Sequence, residues 1–419
     1  MSDFVHFTGL FSKNYLPHLP QPQVLYAYFE TRPGERQEQA RLPLNFSLVL
    51  DRSGSMSGQK MKQLREAVKT MISRLEPTDF ISVVTFNVHT DVIISATNVR
   101  DKEKLESRVN RLEAGGGTSM APALRAGLAE IAKHLSPEVA SRLIVLTDGQ
   151  TTGEDDCRHE ADKIAAAGVP LIALGLGTDW NEDFLLDVAE RTGKLGDALL
   201  IKKPEDVGLI FEEVFSQMQV VAQNLAFRLL LVQGVEARRV WQVTPLIKDI
   251  TFGAVKGRTV EFGLPELAES GAAYLVELLI PPRNPGRYRF AQAQVSYHVA
   301  SRGAAQEART DLTAEVTTDP NLTRQVNGRV MNIVEKVTAF KLQTQALDDV
   351  ARQDIANATR KLRTAHTILL DQGETELARN ALAEAERLER GESLSSEGRK
   401  TIKLSSSKTV RLSDPNAPK

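Results

Sequence analysis

Residues 44–56 read LNFSLVLDRSGSM, from Leu44 to Met56, and the fold turns on this stretch. Its first seven residues, Leu44 to Leu50, are a short apolar-rich run that reads as the first strand. The chain then becomes polar and glycine-containing at Asp51 to Ser55, which marks a loop. Beyond it Met61, Leu64, Val68, Met71, Ile72 and Leu75 recur at spacings of three and four, so they form one face of a helix, with Ser57 as its expected cap. A buried strand, a polar loop and an amphipathic helix open an α/β domain with a largely parallel sheet.

The same alternation continues to residue 221. Phe80–Phe86 and Val92–Ala96 are strand-like and only Asn87 to Asp91 separate them, too few for a helical crossover, so they should pair antiparallel. Helices at about 101–112 and 119–135 lead to the strand Arg142–Thr147. A helix at 158–167, the strand Leu171–Leu176, a helix at 182–192, the strand Ala198–Ile201 and a helix at about 204–221 complete the pattern. The expectation for 42–221 is a doubly wound, mostly parallel six-stranded sheet with about six helices.

From 222 to 317 the runs become period-two strands: Leu225–Val232, Ala237–Val243, Arg258–Leu264, Ala272–Ile280, Arg287–Val299 and Ala308–Thr317. They suggest an antiparallel β-sandwich. Val24–Glu30 is also strand-like, so segment 1–41 is expected to join that sandwich, with the α/β domain inserted into it. Residues 318–390 carry helical spacing, beginning with Val326, Val330, Ile333, Val334, Val337 and Phe340 and continuing in helices at about 345–371 and 374–390. After Gly391 the composition turns to serine, lysine and threonine, and 391–419 reads as a flexible tail.

Composition narrows the function. At 419 residues the chain exceeds the size of one hydrophobic core, and its 42% hydrophobic and 25% charged residues are those of a soluble globular protein. Lys plus Arg number 52 against 54 Asp plus Glu, so no general excess of positive charge gathers nucleic acid or anionic lipid. The single cysteine, Cys157, excludes an intramolecular disulfide framework. No signal peptide or apolar run of membrane-spanning length is visible, and the expected location is cytoplasmic.

Asp51, Ser53 and Ser55 follow the first strand, Thr118 stands in GGGTSM before a helix, and Asp148 stands in TDG after the fourth strand. If those two strands are neighbours, their carboxyl ends meet where strand order reverses, which is where open α/β sheets bind ligands. The residues are expected on an exposed loop edge there. Hydroxyls and carboxylates are hard donors for magnesium, or alternatively manganese or calcium, and the sequence supplies none of the paired cysteines or histidines that zinc prefers. Three hydroxyls cannot neutralise a divalent cation, so an outside carboxylate would gain by completing the shell, and binding is the natural use of such a site.

DRSGSM, GGGTSM and TDG together resemble the metal-ion-dependent adhesion site of von Willebrand factor A domains. That resemblance implies that Ser53, Ser55 and Thr118 contact the metal directly or nearly so, that Asp51 and Asp148 act mostly through water, and that an Asp or Glu of a partner protein supplies the missing ligand. The whole layout resembles bacterial intracellular proteins in which this domain sits between a sandwich and C-terminal helices. A metal-dependent adaptor or scaffold, not an enzyme, is the expected function. The alternative is a metal-assisted phosphohydrolase or a subunit of an ATP-driven, chelatase-like machine. Hydrolysis needs a positioned base and a substrate clamp, and neither is identifiable.

Other features carry less. Gly115 to Gly117 lack the GK[ST] of a phosphate loop and read as a turn letting backbone approach the metal. Glu154, Asp155, Asp156, His159 and Glu160 read as a solvated loop and helix start, and His89 and His134 have no partner at useful spacing. Lys400-Thr401-Ile402-Lys403-Leu404 recurs as Lys408-Thr409-Val410-Arg411-Leu412. Each threonine has a leucine three places on, resembling the phosphothreonine pattern read by forkhead-associated domains. Thr401 and Thr409 are therefore candidate phosphosites for a serine/threonine kinase.

Overall fold

The computed structural model describes residues 5–34, 42–193, 195–268, 270–299 and 305–405. The chain divides into two compact units, residues 41–220 and residues 1–40 together with 221–419.

The first unit contains strands β1 (Leu44–Asp51), β2 (Phe80–Phe86), β3 (Thr90–Asn98), β4 (Ala140–Thr147), β5 (Leu171–Leu176) and β6 (Asp197–Ile201). They form one sheet in the order β3-β2-β1-β4-β5-β6. All neighbours are parallel except β2 and β3, whose short connection forces an antiparallel hairpin. β1 is buried at every position although Asn45, Ser47 and Asp51 share one of its faces; Asn45 meets that burial by donating to Ile131 O at 2.9 Å. The chain steps outward from β1 through β2 to β3, and in the opposite direction from β4 through β5 to β6. The strand order therefore reverses between β1 and β4, and a crevice opens at their carboxyl ends.

Six helices cover the sheet: α1 (Gln59–Arg74), α2 (Lys102–Val109), α3 (Ala121–Ala132), α4 (Glu154–Ala166), α5 (Glu182–Glu190) and α6 (Val207–Met218). α1 buries Met61, Leu64, Ala67, Val68, Met71 and Ile72, which join Leu48, Leu50, Ile144 and Phe211 in one core. Each fully buried side chain of this kind stabilises the fold by about 1.5–3 kcal/mol. Its cap differs from expectation. Met56 is drawn into the core, Ser57 closes a short 3-10 turn through its N–H to Gly54 O, and Gly58 at φ 72° stands at the N-cap with no side-chain bond. The sharp turn out of Met56 needs a left-handed residue, and glycine takes that conformation without strain. Close packing matters at Gly127 of α3, where a Cβ would lie 2.7 Å from Val49 Cγ2.

The second unit holds two sheets. A five-stranded sheet runs in the order Val5–Phe11, Gln23–Pro33, Ala272–Ile280, Glu236–Thr244, Lys248–Asp249. A six-stranded sheet runs Val255–Lys256, Thr259–Ala268, Val220–Leu231, Gly286–His298, Gln306–Thr317, Tyr15–Pro17. Gln23–Pro33 pairs antiparallel with Ala272–Ile280, Phe29 lying opposite Tyr274. Phe29, Phe227, Val276 and Phe290 belong to the core between the sheets. The five-stranded sheet uses its other face as well: Tyr28, Trp241 and Leu275 pack on Val330, Ile333 and Val337 of α7 (Gly328–Ala351). Val5–Phe11 and Tyr15–Pro17 also enter these sheets, two strands that the expectation for segment 1–41 does not single out.

The helical region departs from expectation in two places. A single helix at 345–371 does not exist: α7 ends at Ala351 and α8 (Ile355–Asp371) begins after a turn. Gln353 adopts φ 64° in that turn, and Asp354 accepts from the Asn357 N–H to cap α8. Helix α9 (Thr375–Glu389) follows. The second departure is the tail. Residues 396–405 form a helical segment, α10 (Ser396–Lys400) followed by one wide π-type turn, Thr401–Ser405. Glu384 accepts from the Ser395 N–H and hydroxyl, the Ser395 Oγ accepts from the Gly398 N–H, and Ile402 and Leu404 are buried. Two apolar anchors and a built cap order this stretch despite its polar average. Among the described residues no helix is long and apolar enough to cross a membrane.

Candidate metal centre

The site is assembled at the β1/β4 crevice from three loops. Asp51 ends β1 and is fully buried. Its Oδ1 accepts from the Ser53 N–H at 2.7 Å, and its Oδ2 accepts from the hydroxyl of Thr147, the last residue of β4, at 2.6 Å. Asp51 is thus clamped across the two central strands. Burial pushes its carboxyl above the ordinary range, the bonds from Thr147 and Ser53 oppose that rise, and the charge of Asp148 adds to it.

Ser53 and Ser55 project from the loop after β1. Their Oγ atoms are 3.0 Å apart, and Ser55 Oγ donates to Asp148 Oδ1 at 2.7 Å. The second oxygen of Asp148 accepts from Lys60 Nζ at 2.5 Å. Thr118 is brought in by its neighbours. The Gly115 N–H donates to Arg52 O at 2.8 Å and the Gly54 N–H to Gly116 O at 2.9 Å. Asn87 Nδ2 donates to Gly115 O at 2.6 Å. On the other side Thr118 O accepts from the N–H and hydroxyl of Thr152 at 3.3 and 3.2 Å, so the Thr118 loop is strapped to both other loops. Gly116 has φ +87°, and a Cβ there would meet Asn87 Nδ2 at 3.0 Å, so glycine is required for this close approach.

Asp51, Ser53, Ser55, Thr118 and Asp148 therefore come from the loops that close on one another here. Exposure is a correction to the sequence reading: Asp51, Ser53 and Asp148 are buried, Thr118 is half-buried, and of the five only Ser55 is exposed. Asp51 is held inward by its bonds to Thr147 of β4 and to the Ser53 N–H, and Asp148 by its bonds to Ser55 and Lys60.

The donor set fits a hard divalent cation. Around magnesium, with ligands at about 2.1 Å, adjacent corners of an octahedron are about 3.0 Å apart. The Ser53–Ser55 oxygen separation of 3.0 Å matches such an edge, and Asp148, hydrogen-bonded to Ser55 at 2.7 Å, stands behind it. Among the described residues no three of His, Cys, Asp and Glu gather to hold a metal, so a cation at this place would rest largely on hydroxyls. The acidic stretch goes elsewhere. Glu154, Asp155 and Asp156 fill the first turn of α4, and Glu160 is buried against Arg125. Cys157 is buried, which pushes its thiol up to about 12, and His134 stacks on Phe80 at 3.9 Å.

Sequence reasoning missed Lys60. The available signal was a lysine in the first turn of a helix whose first turn holds no acidic residue, the end at which the helix dipole disfavours cations.

Comparison with known families decides what this unit is. The profile of the von Willebrand factor type A domain matches residues 45–205. Residues 45–205 are a von Willebrand factor type A domain. The A domain belongs to a family known for metal-dependent protein interaction. A second profile, the Sll0103-like C-terminal alpha-helical domain, matches residues 328–412. The chain is 29% identical to protein sll0103 of Synechocystis sp. over 386 residues, 90% of each chain. It is 32% identical over 200 residues to inter-alpha-trypsin inhibitor heavy chain H2 of Homo sapiens, a match spanning 44% of this chain and 21% of that protein. Among solved structures, a von Willebrand factor type A protein from Catenulispora acidiphila superimposes with a TM-score of 0.71 at 21% identity, covering 98% of both chains. At that identity the likeness is one of fold.

Thr401 is placed far from the expected solvent-exposed tail: it is fully buried. Thr409 lies outside the described residues.

Proposed function

We propose that the A domain holds a divalent cation, magnesium first and manganese or calcium as alternatives, on Ser53, Ser55, Thr118, Asp51 and Asp148, and through it binds an Asp or Glu of a partner protein. The observation that carries this reading is the convergence of three loops on two buried carboxylates, Asp51 and Asp148, with the Ser53 and Ser55 hydroxyl oxygens 3.0 Å apart and Ser55 bonded to Asp148. Asp51 and Thr147 fix the serine loop against the sheet, and the Gly115–Gly117 turn presents Thr118. When bound, the cation supplies a positive centre able to take a carboxylate oxygen from outside. With Asp51 and Asp148 acting mostly through water, the three hydroxyls in direct contact leave that centre under-neutralised, which favours an acidic ligand and makes the chain an adaptor or scaffold.

Pull-down of partners from the source cell, in magnesium and in excess chelator, tests the reading. Partner capture should require the cation and should be lost when the partner's acid is changed to its amide. Raising salt to about 0.3 M should weaken capture far less, because screening acts chiefly on exposed charges beyond a Debye length. Equal capture in chelator would end the proposal. The kinase and forkhead-associated domain expected at the tail gain no support at Thr401, whose burial withholds its hydroxyl from an enzyme in the folded chain.

A further inference from the structure

Resting on the metal reading above, we propose that Lys60 is a built-in counter-cation that lowers the affinity of the A domain for its divalent cation by sharing Asp148. Asp148 has two carboxylate oxygens and both are engaged: Oδ1 takes the Ser55 hydroxyl at 2.7 Å and Oδ2 takes Lys60 Nζ at 2.5 Å. The Asp148 side chain has no exposure, while Lys60 keeps 29%, so one end of the pair is dry and the other reaches water. Arg52, on the neighbouring loop, is paired with Asp91 at 2.6 Å and does not compete for Asp148.

The placement of Lys60 runs against local preference. It sits in the first turn of α1, a helix of 16 residues, where the N-terminal dipole favours anions, and no acidic residue occupies that turn. A local rule broken at a site is the pattern expected when a residue serves the site and not its own helix. Its consequence is electrostatic. A divalent cation arriving beside Asp51 and Asp148 meets two negative charges, one of which already faces an ammonium. The attraction of Asp148 is divided, and the incoming charge is repelled by Lys60 at short range. The same division leaves the cation with more uncompensated charge toward an outside carboxylate. The site is thereby biased against holding metal tightly alone and toward holding it together with an acidic partner.

Calorimetric titration of the full chain with Mn2+ alone, comparing wild type, Lys60→Gln and Lys60→Arg, tests this. Lys60→Gln should bind Mn2+ about tenfold tighter or more, which is roughly 1.4 kcal/mol. Lys60→Arg, which keeps the charge, should stay within about threefold of wild type, a small difference on that scale. A gain in affinity cannot come from misfolding, so the expected result is distinct from damage. Unchanged or weaker Mn2+ binding in Lys60→Gln, with wild type binding normally, overturns the role of Lys60 and leaves the metal site standing. It would show that the lysine only neutralises a buried carboxylate. Absence of Mn2+ binding in all three proteins overturns the metal reading itself.

Discussion

Replacing Ser55 by alanine separates a metal site from a set of loops that merely hydrogen-bond to one another. Ser55 Oγ joins Ser53 Oγ and Asp148 Oδ1, and Ser55 is exposed, so water can replace what the hydroxyl leaves behind. An intramolecular hydrogen bond contributes about 1 kcal/mol net and one to a charged group about 1.5–3 kcal/mol. With water as substitute the loss should sit at the low end, about 1 kcal/mol. For a domain of this size that lowers Tm by about 2–4 °C. A cation at about a hundred times its Kd stabilises the folded state by about 2.7 kcal/mol. On the same scale this raises Tm by about 5–10 °C. Ser55→Ala should therefore melt slightly below wild type in chelator, and the rise on adding magnesium should disappear. Scanning calorimetry of the A-domain transition in the full chain, in magnesium and in chelator, reads both quantities. A magnesium-dependent rise in Ser55→Ala equal to that of wild type refutes the reasoning.

Three further outcomes are expected. Gly116→Ala forces a side chain into φ +87° against Asn87, at a cost of about 1–2 kcal/mol, and should weaken Mg2+ binding by loosening the Gly54–Gly116 strap; titration calorimetry checks it. At Glu160 burial raises the carboxyl's pKa, but the bonds from Arg125 and Lys163 outweigh it and the net position is below the ordinary range. Its stability contribution is then complete above the unfolded value of about 4.3 and is lost as pH falls through the lower folded value, so urea unfolding from pH 7 to 3 should narrow the gap between wild type and Glu160→Gln. Ile402→Asp places an unpaired charge at a buried position and should release residues 396–405, making trypsin cut at Lys400 and Lys403 much faster than in wild type.

The strand Leu44–Asp51 was legible because its apolar residues outweigh Asn45 and Ser47 and a polar, glycine-containing loop ends it, and the juxtaposition of the three site loops was legible because DRSGSM and TDG directly follow strands that turn out to be neighbours. Lys60 was hidden because nothing in the sequence says which carboxylate a surface-looking lysine will reach. The break at 352–354 was hidden because Gln353 takes a left-handed conformation that its side chain does not advertise, although Asp354 was a readable cap. The order of 396–405 escaped because average composition discounts two well-placed apolar residues, Ile402 and Leu404, and cannot foresee that Glu384 on another helix will hold Ser395. Strand pairing across an insertion is likewise a property of tertiary contact, so Val5–Phe11 and Tyr15–Pro17 had no local mark strong enough to be seen.

The pairing of Phe29 with Tyr274 has a consequence for how the chain is made. A ribosome adding about 5–20 residues per second needs roughly 12–50 s to travel from the first of these residues to the second. Throughout that interval Gln23–Pro33 can pair only with Val5–Phe11, and a lone two-stranded hairpin is marginal in water. The A domain, by contrast, emerges whole, its two ends joined by the Leu42 N–H to Val220 O bond at 3.1 Å, and can complete its own core first. Synthesis therefore runs inside out. The inserted domain matures while the N-terminal hairpin waits with an open edge, and that waiting edge is where a nascent-chain chaperone would be needed and where aggregation would begin.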